Sequence, residues 1–434
     1  MFVTDSYGTQ TRFCFQVWVG NPDAAADGQL LRATEGASLT GDWENGWNAS
    51  IEWFAGLADV LPGTRITIFT LHTYGDGTSE TTVDFVGYLQ DDAAMTAGDE
   101  TAGQLQSLRV QAYGFASILG RLRGATARVT RRQSPAAWGD IASPTPARVL
   151  TYALAWHTTA FNLCSFSWWS GDAAHETDDV DVHHAHILDM MVDFLSRYNA
   201  EPTFAPSGEI RCARNACYLP IADRAALPTI ITLGTQDVQS VQIDRQHMPT
   251  AGSILLPAIC YDTAKGTTVA YTAKAPAVTA YHSGEEQTGP NQVLPADLTD
   301  AQIRAEISQR AANHFAYINN RYTLTLDLLD SYSDLTPSND RWFVLDLPAA
   351  DNPIGQTFST QRWLLKEIRI DVTSPDGVRS VSATFIAETS DVGAQILVTQ
   401  LPTEVSMPLA PPSAPFGDID QPWLGDPADF PLRS

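Results

Sequence analysis

The sequence predicts a mainly β protein with α+β elements, in which two small β-barrel or sandwich domains flank a mixed α+β middle region. Three observations carry this. Short runs alternate apolar and polar residues with period two, as in Tyr322, Leu324, Leu326 and Leu328 against Thr323, Thr325 and Asp327, the pattern of strands with one buried and one wetted face. The runs are separated by turn chemistry such as Ser374-Pro375-Asp376-Gly377, where Pro presets φ and Gly accepts a positive φ. Helical spacing is clearest in two stretches, Ile187–Tyr198 and Thr299–Ile318.

In chain order, Phe13, Phe15, Val17 and Val19 alternate in an opening strand that Gly20-Asn21-Pro22 ends. Residues 38–53 mix polar and aromatic side chains, among them Trp43, Trp47 and Trp53. Strands are expected at 65–71 after Leu61-Pro62-Gly63, at 82–89 after the loop tip Gly75-Asp76-Gly77, and at 105–113. These make residues 1–125 an N-terminal barrel-like domain. Residues 126–186, rich in Pro, Trp and His, form a linking or inserted region, with a helix expected at 147–155 after Pro144-Thr145-Pro146.

Residues 187–298 form the α+β middle region. Ile187, Leu188, Met190, Met191, Phe194, Leu195 and Tyr198 fall at helical spacing, and the Pro206-Ser207-Gly208 turn joins two strands. More β pattern follows at 240–244 and 253–256, and 283–298 reads as a polar loop.

Residues 299–400 form a helix plus a C-terminal barrel-like domain. Thr299-Asp300-Ala301-Gln302 has the form of a capping box, in which the Thr and Gln side chains each satisfy an orphaned backbone group. Ile303, Ile307, Ala311, Phe315 and Ile318 then form one apolar stripe, with Arg304, Glu306, Gln309 and Arg310 on other faces. Strands are expected at 322–328, 342–347, 368–372 and 381–385. Residues 401–434 are a Pro-rich acidic tail, expected to lie across a neighbouring subunit with Trp423 and Phe430 as anchors.

The 434 residues carry 50 acidic against 26 basic side chains, a formal net charge of −24. So negative a surface repels nucleic acid and anionic lipid, which argues against unspecific DNA binding. No apolar run approaches the roughly 18 residues of a membrane span, and the stretch Met1–Tyr7 does not have the form of a secretory signal. Five scattered cysteines (Cys14, Cys164, Cys212, Cys217 and Cys260) are expected as buried thiols rather than disulfides.

The densest cluster of potential ligands is His175-Glu176, Asp178-Asp179, Asp181 and His183-His184-Ala185-His186. Convergence of His175, Asp179, His183 and His186 would suit a metal. A solvated loop leading into the next helix is the favoured reading, because there is no His-Glu-x-x-His spacing and the stretch is so acidic and polar. Neither a G-x-S-x-G elbow nor a phosphate-binding glycine loop occurs. No catalytic residue and no cofactor are expected, and the protein is not expected to be an enzyme. The tryptophans, among them Trp43, Trp47, Trp342 and Trp363, are read as core or interface rather than as a sugar-stacking platform.

Several segments in a fixed order resemble tail-hub proteins of tailed bacteriophages and of related contractile injection systems. They are the helix from Ile307 to Ala316, Arg321–Asp327, Ile354–Phe358, Arg362–Ile368, the Pro375-Asp376-Gly377 hairpin and Phe385–Thr389. Phe85–Leu89, Arg109–Phe115 and the Gly208-Glu209-Ile210 hairpin add to the likeness. The resemblance implies a homotrimeric ring with Met1–Gly124 and Arg321–Thr389 as its barrels. Such a ring would join a tail tube or distal tail protein to a central spike or fibre and let DNA pass without specific binding. It also implies assembly in the host cytoplasm and residence in the virion tail. The alternative is a glycan-binding or cell-wall-degrading tail protein.

Overall fold

The computed structural model describes residues 36–54, 64–90, 107–123, 186–245, 250–262, 264–265, 267–277, 285–319, 322–332, 335–346, 362–373, 378–388 and 396–401, together with short strands at 3–4, 10–18, 28–31, 95–96, 127–129, 165–168 and 180–182. The chain is mainly β with a few helices, as its alternating runs require. The largest sheet has 15 strands. Its path runs through Gln10–Trp18, Arg65–Thr73, Ser79–Leu89, Ser107–Tyr113, Gly46–Phe54, Gly36–Asp42, Arg362–Thr373, Val378–Ala387, Tyr322–Leu328 and Val238–Arg245. The described strands do not close into barrels. Those of the largest sheet follow one open path, with short branches, from the N-terminal to the C-terminal strands.

Arg362–Thr373 organises that path. Along one edge it pairs with Val378–Ala387. Along the other, Trp363 lies opposite Phe343 of the Trp342–Asp346 strand, and residues Glu367 to Thr373 lie opposite Asp42 to Gly36. A register shift between Leu365 and Glu367 falls where the edge passes from one partner to the next, and a bulge of this kind twists and re-aims a strand. The N-terminal and C-terminal strands therefore share a ladder over seven residue pairs.

The Gly36–Asp42 strand is hard to read because its inward positions are small. Ala37 and Leu39 are buried, and a Cβ on Gly41 would stand 2.5 Å from the Trp47 ring. Glycine is needed there so that Trp47 of the Gly46–Phe54 strand can fill the space. Trp47 is 2% exposed and its indole Nε1 donates to the Phe204 carbonyl at 2.8 Å, which anchors the middle region to this sheet.

The C-terminal strands roll without closing. Thr229–Gly234 pairs parallel to Trp342–Asp346, and Val238–Arg245 pairs antiparallel to Tyr322–Leu328. These two outermost strands are joined by the three-residue turn Thr235–Asp237, in which Asp237 accepts from the Gly234 amide at 2.8 Å. A turn that short holds the two ends of the six-strand path within a few ångströms per residue of each other, so the sheet has to curl.

A separate five-stranded sheet contains Glu285–Thr288, Ala251–Asp262, Thr267–Ala275 and Leu397–Gln400, with Gln292–Val293 beside Ala251–Asp262. The stretch expected as a polar loop thus supplies two short strands, both parallel to Ala251–Asp262; Glu285–Thr288 is largely exposed, so no apolar period marks it. The long helix Asp300–Ile318 starts at the expected capping box, with Thr299 and Gln302 bonded reciprocally. Its Ile303, Ile307, Ala311 and Phe315 pack on Ile254, Leu256, Tyr271 and Ala273 of this sheet. The shorter helix Ile187–Ser196 buries Ile187, Met190, Met191, Phe194 and Leu195 near the hairpin Ala200–Phe204 and Glu209–Arg214.

Candidate functional site

Among the described residues, the densest concentration of buried polar side chains lies where the long helix, the middle region and the C-terminal strands meet. Helical periodicity sets it up. The face of Asp300–Ile318 that turns from the sheet carries Arg310, Asn313 and His314, all buried. Residues three and four apart share a face, so this second, polar stripe runs beside the apolar one.

Arg224 is the centre, 2% exposed. Its Nε donates to the Leu219 carbonyl at 2.8 Å, and its Nη2 donates to the Cys217 carbonyl at 2.9 Å and to Asn313 Oδ1 at 3.2 Å. Its own carbonyl accepts from Trp342 Nε1 at 2.9 Å and from Arg362 Nη1 at 3.1 Å. Glu388 lies 3.9 Å from Arg224 and receives two 2.8 Å bonds from Arg362. Arg362 also stands over the Trp342 ring, 4.9 Å from its centroid. One residue thus ties together three parts of the chain far apart in sequence.

Around Arg224 the helix side chains meet partners from the middle region. Asn313 donates to the carbonyls of Tyr218 and Leu219 at 2.9 and 3.2 Å. His314 Nε2 meets Asn199 Oδ1 at 3.0 Å, and its ring stacks on Tyr218 at 4.0 Å. Burial, with the Arg310 charge second, lowers the imidazole to about 3, so His314 is neutral at pH 7. Burial likewise raises Tyr218, Tyr317 and the Glu201 carboxyl, although Asn215 and Asn339 donate to Glu201 at 3.0 and 3.3 Å. A neutral imidazole held between an asparagine and a tyrosine ring, beside guanidiniums that donate to carbonyls, suits cohesion.

A second buried contact joins the two ends of the sequence. Arg379 on Val378–Ala387 bonds Asp84 at 3.0 and 3.1 Å, and both side chains are 7% exposed. Thr70 donates to Asp84 at 2.6 Å and also contacts Arg379. Burial raises the Asp84 carboxyl, with Arg379 opposing.

Of the residues singled out as ligands, His186 is described: it is the N-cap residue of Ile187–Ser196, without a side-chain capping bond, and its backbone bridges to Arg123. His175, Asp179 and His183 lie outside the described residues, as do Trp423 and Phe430. Among the described residues no group of three or more His, Cys, Asp or Glu side chains is placed to hold a metal. Cys212, Cys217 and Cys260 are buried, and burial pushes the Cys212 thiol up to about 12. Trp43, Trp47, Trp342 and Trp363 are each at most 2% exposed, so these four form no sugar-binding platform. Sequence reasoning missed Arg224 and the Arg379 and Asp84 pair, since nothing local marks partners 89 and 295 residues away.

No protein-family model matches the chain, and no curated protein matches it. Solved structures do. A tail protein from Neisseria meningitidis aligns with a TM-score of 0.53 at 11% identity, covering 88% of this chain and 97% of that one. The 43 kDa tail protein of prophage MuSo2 from Shewanella oneidensis aligns with a TM-score of 0.52 at 8% identity, covering 86% and 98%. The chain is similar in fold to these two tail proteins over nearly its whole length.

Proposed function

We propose that this chain is a structural subunit of a phage-type tail, acting as its hub. The observation that carries the reading is the near end-to-end correspondence of fold with a solved tail protein, 88% of this chain against 97% of that one. A likeness that long includes the middle region and both sets of terminal strands, rather than one common β unit.

In this reading the work is geometric rather than chemical. Copies of the chain form a ring, most simply a trimer, that joins a tail tube or distal tail protein on one side to a central spike or fibre on the other and surrounds the DNA path. The shared ladder, the Asp84 and Arg379 contact and the Arg224 junction support this role, because each holds distant parts of the chain in fixed relation. A net charge of −24 suits a wall past which DNA slides without adhering. The site of action is the virion tail.

Light scattering on the full chain tests the proposal. A closed oligomer of defined mass, a trimer first, is the expected result. A strict monomer at high concentration that also fails to form rings with tube or spike proteins would overturn it.

A further inference from the structure

The strand Ala251–Asp262 is apolar on both of its faces. Ile254, Leu256, Ala258 and Cys260 are buried and pack with the long helix. The alternate positions Leu255, Pro257 and Ile259 point to the opposite face and are only half-buried, and Ile259 at their end also touches the main core. From Ser253 to Cys260 there is no charged residue. A strand with one wetted face alternates apolar with polar residues, whereas one that is apolar throughout is characteristically covered on both sides.

Strand pairing carries that second face across the sheet. Leu255, Pro257 and Ile259 lie opposite Lys274, Thr272 and Ala270 of Thr267–Ala275. Lys274 and Thr272 in turn lie opposite Leu397 and Thr399 of the edge strand Leu397–Gln400. On the other side Leu255 lies opposite Thr288. The charges at this corner are paired: Lys274 is bonded to Glu286, which also accepts from Ser253 at 3.0 Å. Leu397 is 54% exposed, and Leu401, just past the edge strand, is 41% exposed. The face is therefore an apolar stripe with small polar neighbours that ends in two exposed leucines.

The sequence that follows Leu401 matches this face. After Pro402-Thr403-Glu404 come the twelve residues Val405–Phe416, which have no charged side chain in a chain of net charge −24 and include Val405, Met407, Leu409, Phe416 and four prolines. The Leu401 amide donates to the Ala270 carbonyl at 2.9 Å, so the segment starts two strands, roughly 10 Å, from Ile259. Four extended residues span up to roughly 14 Å, which brings Val405 over the stripe. As polyproline II the segment covers roughly 37 Å, against about 20 Å from Ser253 to Ile259. Proline cannot donate to a ladder, so a segment with four of them suits the face of the sheet and not its open edge.

We infer that the charge-free segment Val405–Phe416 lies across the outer face of the five-stranded sheet of its own copy and covers Leu255, Pro257 and Leu397 with its apolar side chains. The sheet then sits between the long helix on one side and this strap on the other. The inference does not depend on the hub reading, and the residues from Asp418 onward take no part in it.

The test places a p-benzoylphenylalanine photoprobe at Thr288 of the full chain, an exposed position on the outer face opposite Leu255. A second full chain carries the probe at Ala305, exposed on the long helix and so on the other side of the sheet. Illumination of an equal mixture of isotopically heavy and light protein, followed by peptide mass spectrometry, identifies what each probe reaches and whether it belongs to the same copy. The Thr288 probe is expected to join a peptide within Val405–Phe416, heavy to heavy and light to light, and the Ala305 probe is not. Leu409→Asp with Phe416→Asp, changes that leave every described contact in place, should lower the Thr288 yield about tenfold by removing two apolar side chains from a tethered contact. A Thr288 probe that never reaches the segment, or an Ala305 probe that reaches it equally well, would overturn the inference. So would a yield indifferent to the two aspartates. Products that pair heavy with light as often as heavy with heavy would place the segment on another copy and overturn it too.

Discussion

The two buried charge contacts solve different problems. Between the terminal strands, Arg379 and Asp84 form a charge pair with Thr70 as a third member. At the junction of helix, middle region and C-terminal strands, Arg224 is surrounded by carbonyls and an amide, with its carboxylate, Glu388, at 3.9 Å and shared with Arg362. The pair depends on Coulomb attraction between two groups that both had to leave water. The junction depends on dipoles already oriented by the backbone, so its energy is spread over more bonds. A pair can be replaced as a unit, whereas a hub of many bonds cannot.

The largest effect is expected from Arg224→Met, which removes the guanidinium bonds to the Cys217 and Leu219 carbonyls and the link to Asn313 from a buried site. We expect a loss of about 3–5 kcal/mol, read from the midpoint of urea unfolding. Next is Asp84→Leu, which strands Arg379 and should cost about 3 kcal/mol, while Asp84→Leu with Arg379→Leu together should recover most of it. Equal costs for the single and double variants would show that the pair is not a unit.

Acid separates the two contacts by sign. His314 has a folded value of about 3 against an ordinary 6.5, so its contribution is complete above pH 6.5 and is lost as pH falls toward 3, at up to about 1.4 kcal/mol per unit. The Asp84 carboxyl is raised, so its contribution is present below the unfolded carboxyl value and is lost as pH rises through the folded one. Between pH 6.5 and 3 the helix junction should therefore loosen before the Asp84 contact. A His314→Gln variant should flatten the dependence of stability on pH in that window, and an unchanged profile would refute the assignment. The smallest effect is expected at the helix start, where Thr299→Ala removes the capping hydroxyl that the Gln302 amide reaches at 3.4 Å and should cost about 1 kcal/mol in thermal unfolding.

The elements that were legible have a local cause. The capping box placed the start of Asp300–Ile318, and Tyr322–Leu328, Arg65–Thr73 and Ile187–Ser196 followed from their own periods. The Gly36–Asp42 strand was not legible, because its inward glycine makes room for a tryptophan on the next strand and leaves no apolar alternation behind. The polar stripe of Arg310, Asn313 and His314 reads as a solvent face by composition. It is buried because the middle region supplies carbonyls and an asparagine at the right height.

By itself, then, the sequence determined the mainly β class, the caps, turns and alternating strands, and the acidic character of the chain, since these depend on neighbours within a few residues. Tertiary structure alone decided that both ends of the chain share one ladder through Arg362–Thr373 and that Arg224 and Arg379 are buried with their partners. It also decided that Arg214 and Arg310 line one cleft. Those outcomes rest on contacts between residues tens to hundreds of positions apart. Which charge leaves water, and beside what, is fixed only when the distant surfaces close over it.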